Sequence, residues 1–294
     1  MEFGFVMPSL GPMANKADIT ALAHGETKGC NYLSAPDHII IPEDIESTYP
    51  YSQTGEFPLR AHNGWLDQLT TLTFIAAVTD KARLLTSVMV VPHRSAVLTA
   101  KILASIDVLS NGRLTVGCGA GWMREEFEAI GAPPFKERGK VTDEFIDVFR
   151  ELWTKDTPEF DGAYNRFSSI IFEPKPVQKP HPPIWIGGES DAALRRAARL
   201  ADGWFPIGSN PRYPLDTQER FSAALTKLRT YLAEANRDPA AVELAYFTNW
   251  YREEPETRDG TRRAFTGNAE DVAGDIGWLK NSGVKMILVN CFGA

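Results

Sequence analysis

Residues 95–122, SAVLTAKILASIDVLSNGRLTVGCGAGW, contain a complete helix–turn–strand unit. Apolar side chains recur at helical spacing over 95–109, and Asn111-Gly112 follows, where a helix favours left-handed backbone. Residues 113–118 then predict a strand that ends in a run of glycines. A strand that follows a helix after a short turn is the repeating unit of parallel α/β folds. The stretch therefore predicts an α/β protein.

The same alternation extends in both directions from this unit. Apolar or β-branched runs predict strands at 2–7, 31–35, 84–91, 113–118, 183–187, 203–207, 242–248 and 285–290. Amphipathic stretches predict helices at 16–28, 65–79, 95–109, 139–154, 190–201, 217–235 and 268–281. Ser190 is placed as an N-cap of one helix, and Gly283 closes the last one.

Eight strands that alternate with seven helices predict a TIM-type (β/α)8 barrel, with residues 1–294 forming a single domain. An open, doubly wound sheet remains the alternative, because strand order cannot be read from the sequence. Residues 291–294 are all that follows the last strand, so we expect the eighth helix to be missing or truncated. The long connections 36–64 and 249–267 follow strands and should lie at the catalytic mouth, whereas 155–182 is an insertion that precedes a strand.

Composition excludes several classes of protein. The chain has 294 residues, 43% of them hydrophobic, and a net charge of −7, which is not the charge of a nucleic-acid-binding protein. It has no apolar run long enough for a bilayer and no basic segment that would begin a signal peptide. The three cysteines form no CxxC and the five histidines are scattered, so we expect neither a disulfide nor a metal site. We expect a cytoplasmic enzyme that acts on a small molecule.

The glycine run lies directly after the fourth predicted strand. Gly117, Gly119 and Gly121 suggest a dinucleotide fingerprint, but the third glycine of that motif would fall at 122, which is Trp122. Glycines also let the backbone pass close to a flat ligand or to another chain segment. A glycine-rich rim without a ligand is the remaining alternative.

Two further stretches are candidate sites. Gly187-Gly188 end the fifth predicted strand and lead into the helix capped by Ser190, an arrangement that suits either a phosphate seat or a simple structural cap. Asp37-His38 follow the second predicted strand, where the imidazole of His38 would be placed for proton transfer at the mouth. Asp37 is either the partner of His38 or a cap.

Several segments, taken together, resemble the bacterial luciferase-like superfamily, and specifically its branch of oxidoreductases that depend on coenzyme F420. The similarity begins in Asp107 to Arg113, runs through Trp122 and continues in Arg124-Glu125-Glu126-Phe127, Gly131, Arg138 and Asp143-Glu144. It resumes in residues 182–188 (PPIWIGG) and 201–204 (ADGW), so that it covers most of the chain.

The resemblance implies a flavin-type cofactor at the C-terminal mouth of the barrel. It implies a cis peptide between Ser87 and Val88, forming a bulge behind the deazaflavin ring, and a phosphate on Gly187-Gly188 with Ser190 nearby. The turn of Gly117, Gly119 and Gly121, followed by Trp122, would skirt the ring, while Asp37-His38 would place a histidine near the reactive carbon. In F420-dependent sugar-phosphate dehydrogenases a tryptophan follows this histidine closely and a glutamate follows strand 4, whereas here the residues are Ile39-Ile40-Ile41 and Gly119-Ala120-Gly121.

The leading hypothesis is an F420-dependent oxidoreductase that transfers a hydride between the deazaflavin and a small organic substrate, with His38 giving or taking the proton. Two alternatives stay open: an FMN-dependent monooxygenase that uses reduced flavin and oxygen, and a non-catalytic flavin- or deazaflavin-binding protein. The anionic F420 tail would need basic groups near the mouth, and the candidates are Arg60, Arg113, Arg124, Lys136 and Arg138. Apolar outer helix faces would suit a homodimer.

Overall fold

The structure is a computed structural model that describes residues 1–58, 64–249 and 251–290. Strands and helices alternate through these residues, and short 3-10 turns follow or precede several of them. In chain order the main elements are β1 (Glu2–Val6), α1 (Lys16–Ala23), β2 (Tyr32–Ala35), α2 (Gln68–Val78), β3 (Arg83–Thr86, continued by Met89–Val90), α3 (Ala96–Leu109), β4 (Leu114–Gly119), α4 (Arg124–Ala129), α5 (Arg138–Thr154), β5 (Ile184–Gly187), α6 (Asp191–Leu200), β6 (Gly203–Phe205), α7 (Gln218–Glu234), β7 (Glu243–Thr248), α8 (Ala269–Asn281) and β8 (Val284–Val289).

The eight main strands close into a parallel barrel. Each strand pairs with the next one along the chain. The ring is completed by β8 and β1, where Phe3 lies opposite Ile287. The (β/α)8 prediction is therefore confirmed, and the open doubly wound sheet is wrong.

Two apolar clusters fill the molecule. The larger one lies between the strands and the surrounding helices, where both faces of each element can be removed from water. The smaller one fills the interior of the barrel with bulky side chains from most of the strands: Val6, Tyr32, Leu85, Trp185, Phe205, Ala245, Phe247, Met286 and Leu288. The interior is thus a packed core, and a ligand has to bind at the end of the barrel.

Several predicted boundaries differ from the structure. The predicted strand 84–91 is broken at Ser87 and Val88, which lie between the two parts of β3. The helix predicted over 65–79 begins at Gln68, because the carboxylate of Asp67 accepts the N–H of Thr70 and caps it. The helix predicted over 16–28 gives way to a 3-10 turn after Ala23.

The short helix α4 was not predicted, and it lies between β4 and α5. The inserted segment 155–182 contains a two-stranded hairpin of Phe160–Asp161 with Arg166–Phe167. The connection 249–267 contains a second hairpin, Thr257–Arg258 with Thr261–Arg262. The prediction of a missing or truncated eighth helix concerns residues 291–294, which lie outside the described residues.

Helix ends follow the predicted chemistry. Asn111 and Gly112 both have positive φ, at 54° and 77°, directly after α3. The hydroxyl of Ser190 accepts the N–H of Ala193 and caps α6. Gly283, with φ of 97°, follows α8. Local sequence therefore fixes where α3 and α8 end and where α6 begins.

The outer surface bears on the predictions about membranes and partners. Within the described ranges, none of the helices combines the length and the apolar character that crossing a bilayer requires. Helix α3 exposes Leu98 and Leu109 at 56% and 68% of their surface. The homodimer stays a prediction.

Candidate active site

The side chain of His38 lies at the C-terminal end of β2, where a loop of residues 36–58 (the mouth loop) begins. Its Nδ1 is 2.7 Å from Oε2 of Glu126, on helix α4. Oε1 of the same carboxylate accepts the backbone N–H groups of Ile39 at 2.7 Å and Ile40 at 3.3 Å. Glu126 is 1% exposed and His38 is 9% exposed, so this is a buried pair at the mouth.

The charge on Glu126 determines which nitrogen of His38 is available. Burial alone would raise the pKa of the Glu126 carboxyl, but His38, His93 and the Ile39 amide lower it below its usual value. An ionised carboxylate is an acceptor only, so Nδ1 of His38 must carry a proton and donate it. In neutral His38 the lone pair is therefore on Nε2, which is the nitrogen available to exchange a proton with a ligand.

Asp37 has partners other than His38. Its carboxylate receives a two-pronged bond from Arg94, with Nη1 at 2.9 Å and Nη2 at 2.8 Å. The backbone N–H of Val90 donates to the same group at 2.8 Å. Asp37 is neither the partner of His38 nor a helix cap: it ties the end of β2 to the second part of β3 and fixes the backbone from which His38 projects.

Aromatic rings surround the imidazole of His38. The ring centroids of Trp65, Phe57 and Trp122 lie 4.9, 5.3 and 6.2 Å from it. Tyr49 packs on Trp122 at 5.0 Å, so the mouth loop and the turn after β4 form one wall. The indole N–H of Trp65 is buried and has no hydrogen-bond partner among the described residues. Trp65 and Trp122 thus lie beside His38, although the sequence has isoleucines immediately after it.

The break in β3 forms the second wall. The peptide between Ser87 and Val88 is cis, as the resemblance implied. The hydroxyl of Ser87 donates to Oγ of Ser34 at 3.0 Å. This hydrogen bond holds the break in β3 against β2. That Ser87 and Val88 support a cofactor ring stays a prediction.

Glycines surround Val88 on both sides. A Cβ at Gly119 would lie 2.7 Å from Cγ2 of Val88, and one at Gly187 would lie 2.9 Å from Cγ1. A Cβ at Gly117 would lie 2.1 Å from the carbonyl oxygen of Thr86. Gly117 and Gly119, in the second half of β4, are therefore needed because another chain segment passes close by, which was one of the sequence-based interpretations.

Gly121 ends this turn with φ of 85°. Its carbonyl accepts a bond from Nε of Arg138 at 3.1 Å, which anchors the turn to helix α5. Trp122 follows and enters the aromatic wall. The glycine turn and Trp122 thus lie at the same mouth as His38.

The start of α6 presents free backbone amides, as the sequence suggested. Gly188 has φ of 104° and Ser190 caps the helix, leaving its first amides without intrahelical partners. Glu189 turns away from them: its carboxylate accepts the N–H of Ile207 and the side-chain amide of Asn210. Burial raises the pKa of Glu189 to about 7, although these two bonds lower it. Its negative charge is thus reduced beside the candidate phosphate seat.

Tyr51 carries the mouth loop to this side of the barrel. Its pKa is raised well above the usual value, by burial first and then by the nearby Glu189. The mouth loop therefore reaches from the end of β2 to the start of α6.

Asp191 is the other acidic residue that the sequence places at the start of α6. It is exposed and pairs with Lys227 at 3.3 Å.

The comparisons with known proteins agree with this architecture. The model of the luciferase-like monooxygenase family matches residues 48–275, from the mouth loop into α8. The chain belongs to the luciferase-like monooxygenase family. Members of this family are oxidoreductases and monooxygenases.

Relatives in sequence cover different shares of this luciferase-like chain. An uncharacterised protein of Mycobacterium tuberculosis is 35% identical over 204 residues, which are 69% of this chain and 68% of that protein. The FMNH2-dependent dimethylsulfone monooxygenase of Pseudomonas putida is 37% identical over 146 residues, covering 49% of this chain and 40% of that enzyme.

Solved structures of low identity share the fold. A monooxygenase from Streptomyces bottropensis has a TM-score of 0.73 at 21% identity, covering 100% of this chain and 93% of its own. An F420-dependent secondary alcohol dehydrogenase, solved with an F420–acetone adduct, has a TM-score of 0.74 at 17% identity. The match covers 98% of this chain and 93% of the dehydrogenase chain. At these identities the likeness shows the luciferase-like barrel only.

The residues at the mouth fit a flavin-type group. The rim at β4 and β5 is made of glycines around an apolar Val88, which suits a flat ring. The amides at the start of α6 suit a phosphate. The buried indole N–H of Trp65 beside His38, which has no partner within the described part of the chain, offers a donor to a ligand. Among the described residues, no group of histidine, cysteine and acidic side chains could hold a metal ion.

The basic residues proposed for an anionic tail are dispersed. Arg113 lies at the opposite end of the barrel, where it donates to backbone carbonyls at the end of α2. Arg138 is committed to the glycine turn. Arg124 and Lys136 are exposed, and Arg60 lies outside the described residues. Arg113 is therefore excluded from the mouth.

Sequence reasoning missed the groups that hold the site together. Glu126 lies 88 residues from His38, and Arg94 lies 57 residues from Asp37. Glu126 was part of the segment that carried the family resemblance, but nothing in its spacing indicated contact with a histidine. For Arg94, the only signal in the sequence was its position after β3. Residues that follow parallel strands meet at one end of a barrel, which would have placed Arg94 near Asp37.

Proposed function

We propose that this protein is an F420-dependent oxidoreductase that acts on a small, uncharged organic substrate. The single observation that carries the proposal is the buried His38–Glu126 pair at the barrel mouth. Such a pair is needed where a proton must be given or taken as a hydride moves, since removing a hydride from an alcohol carbon leaves a proton on oxygen. The pair lies on the same rim as the break at Val88 and the glycines around it.

The chain's own residues would orient and protect the reaction. When bound, the deazaflavin would supply a ring carbon that accepts or donates a hydride. Nε2 of His38 exchanges the accompanying proton, while Glu126 holds Nδ1 and fixes the ring. Asp37 and Arg94 keep the backbone of His38 in place. The amides at the start of α6 would bind the phosphate of the cofactor.

The walls of the mouth support an uncharged substrate. Phe57, Trp65 and Trp122 surround His38, and a charged ligand would lose hydration there without an opposite charge to replace it. Ile39 and Ile40, each 39% exposed, extend the apolar surface next to His38. The indole N–H of Trp65 adds a single donor for a substrate oxygen.

An FMN-dependent monooxygenase is the second candidate. The observation that favours it is the 37% identity with an FMNH2-dependent monooxygenase over 146 residues. FMN and F420 differ little in the ring that faces the protein, so the same barrel mouth would suit both. A non-catalytic cofactor-binding protein is less favoured, because binding alone gives no reason for a buried histidine–carboxylate pair.

Cofactor titration separates the candidates. Purified protein is titrated with F420 and with FMN, following absorbance and fluorescence, and oxygen uptake is then measured with each reduced cofactor. We expect tight binding of F420 and cofactor-dependent oxidation or reduction of small alcohols or ketones. His38→Ala should abolish turnover but retain F420, while His24→Ala, at an exposed histidine after α1, should change neither. Tight FMN binding with oxygen consumption, and no binding of F420, would overturn the proposal.

A further inference from the structure

Helix α4 begins with Arg124, Glu125 and Glu126, and all three contact the mouth loop. Glu126 binds the loop where it leaves β2, through the amides of Ile39 and Ile40. It also holds His38 through its other oxygen. One buried carboxylate therefore serves both the imidazole and the first residues of the loop.

Glu125 binds the same loop further along. Its Oε1 accepts the backbone N–H groups of Glu46 at 3.1 Å and Ser47 at 3.0 Å. The backbone N–H of Arg124 donates to Oγ of Ser47 at 3.0 Å. Burial would raise the pKa of Glu125, but the Ser47 hydroxyl and these amides lower it, so that the carboxylate is charged at neutral pH. Residues 39–47 are thus fixed at both ends by neighbouring carboxylates.

We propose that Glu125 and Glu126 form a two-point clamp that couples the seating of the mouth loop to the orientation of His38. Glu125 is then a positioning residue that acts on His38 through the loop and Glu126, without touching the imidazole. The proposal rests on the proposed function only in taking His38 as the group that exchanges a proton.

The coupling follows from the burial of Glu126. If the loop rises at Ile39 and Ile40, a carboxylate that is 1% exposed loses two amide donors. Glu126 then keeps His38 as a hydrogen-bond partner, with His93 3.7 Å away, which replaces neither amide bond. An ionised carboxylate is costly to hold buried with so few donors, so it must move toward water or take up a proton. Either change removes the charged acceptor that fixes Nδ1 of His38.

The aromatic wall depends on the clamp as well. Tyr49 and Phe57 lie beyond the clamped segment and pack on Trp122 at 5.0 and 5.3 Å. Trp122 is two residues before α4, so the clamp and the wall are held by the same short stretch of chain. Release of the clamp would open the wall and free His38 together, which would admit a ligand while the imidazole is not yet oriented.

The test uses the full chain without cofactor. Glu125→Ala removes the second clamp point. Glu128→Ala, on the same helix, is the matched control, because the Glu128 side chain is exposed and its single ion pair among the described residues is with Arg124, at 3.8 Å. Hydrogen exchange read by mass spectrometry reports opening of residues 39–47, and the rate of modification by diethyl pyrocarbonate reports access to His38.

We expect Glu125→Ala to raise both the exchange rate of residues 39–47 and the modification rate of His38 by about tenfold or more, since bonds to a charged group are lost. Glu128→Ala should leave both near wild type. Faster exchange with unchanged modification of His38 would overturn the coupling, and no change in either would overturn the clamp. If Glu125→Ala also raises exchange in the barrel strands, Glu125→Gln, which keeps one acceptor oxygen, replaces it and should give a smaller rise in both rates. Because no cofactor is present, a failure of the F420 proposal would leave these outcomes unaffected.

Discussion

Replacing Glu126 by glutamine should move the proton of His38 to the wrong nitrogen. The glutamine has the same shape, with one oxygen acceptor and one NH2 donor. With its oxygen on the amides of Ile39 and Ile40, its NH2 faces Nδ1 of His38. Nδ1 must then accept, so that neutral His38 carries its proton on Nε2 and cannot act as a base there.

The opposite orientation of the glutamine is disfavoured by the same contacts. It would place NH2 against the N–H groups of Ile39 and Ile40, leaving two amides unsatisfied. Each unsatisfied buried amide costs about 1–3 kcal/mol. With two such amides, the orientation that moves the proton is more stable by about 2 kcal/mol or more. That difference corresponds to a ratio of about 30 between the populations of the two orientations. We therefore expect kcat of Glu126→Gln to fall by at least about 30-fold.

Two measurements test this expectation. Nitrogen-15 NMR of labelled histidine reports directly which ring nitrogen of His38 carries the proton. Steady-state kinetics with F420 report kcat, and fluorescence titration reports cofactor affinity, which should stay within about threefold of wild type because Glu126 lies behind His38. Glu128→Gln, with an exposed side chain on the same helix, is the control. A Glu126→Gln protein that keeps the wild-type tautomer, with kcat within about threefold, would refute the reasoning.

Three further predictions concern the rim and its supports. Gly119→Ala places a Cβ 2.7 Å from Val88 and should weaken cofactor binding in fluorescence titration by about tenfold, with partial rescue in the Gly119→Ala, Val88→Ala double variant; equal affinity in all three proteins would contradict this. Asp37→Asn removes the negative charge on the buried side of Arg94 and turns one acceptor oxygen into an NH2 donor, so it should lower the free energy of unfolding in urea by about 3 kcal/mol, with Asp67 still paired to Arg94; a loss below about 1 kcal/mol would contradict the role of the pair. Glu189 has its pKa raised from 4.5 to about 7, so its contribution to stability is complete below pH 4.5 and is lost as pH rises through 7. Urea unfolding from pH 4.5 to 8 should show a fall of up to about 3 kcal/mol from this group that is absent in Glu189→Gln, and parallel curves for the two proteins would contradict it.

The sequence predicted the elements of the fold because their signals are local. Strand and helix periodicity placed all eight barrel strands and seven of the helices within a few residues. Capping chemistry at Ser190 and the left-handed residues at Asn111 and Gly283 marked helix ends correctly. Helix α4 was missed because its 6 residues, fewer than two turns, are too few to show an apolar period.

The candidate site was predicted only in part. His38 was singled out because it follows a strand, and position after a strand is enough to place a residue at the barrel mouth. The sequence could not show that its partner is Glu126, since Asp37 is its neighbour in the chain and the more obvious choice. It also could not show that Trp65 and Trp122 lie beside His38, where the residues that follow in sequence are isoleucines.

By itself, the sequence determined the alternation of strands and helices, the ends of those helices and the set of residues that follow each strand. These depend on side-chain periodicity and on backbone preferences of neighbouring residues. The tertiary structure alone decided that the sheet closes through β8 and β1, and that Glu126 holds His38 while Arg94 holds Asp37. Those pairs join residues far apart in the chain, and their contacts depend on how the helices pack around the closed barrel, which no local pattern encodes.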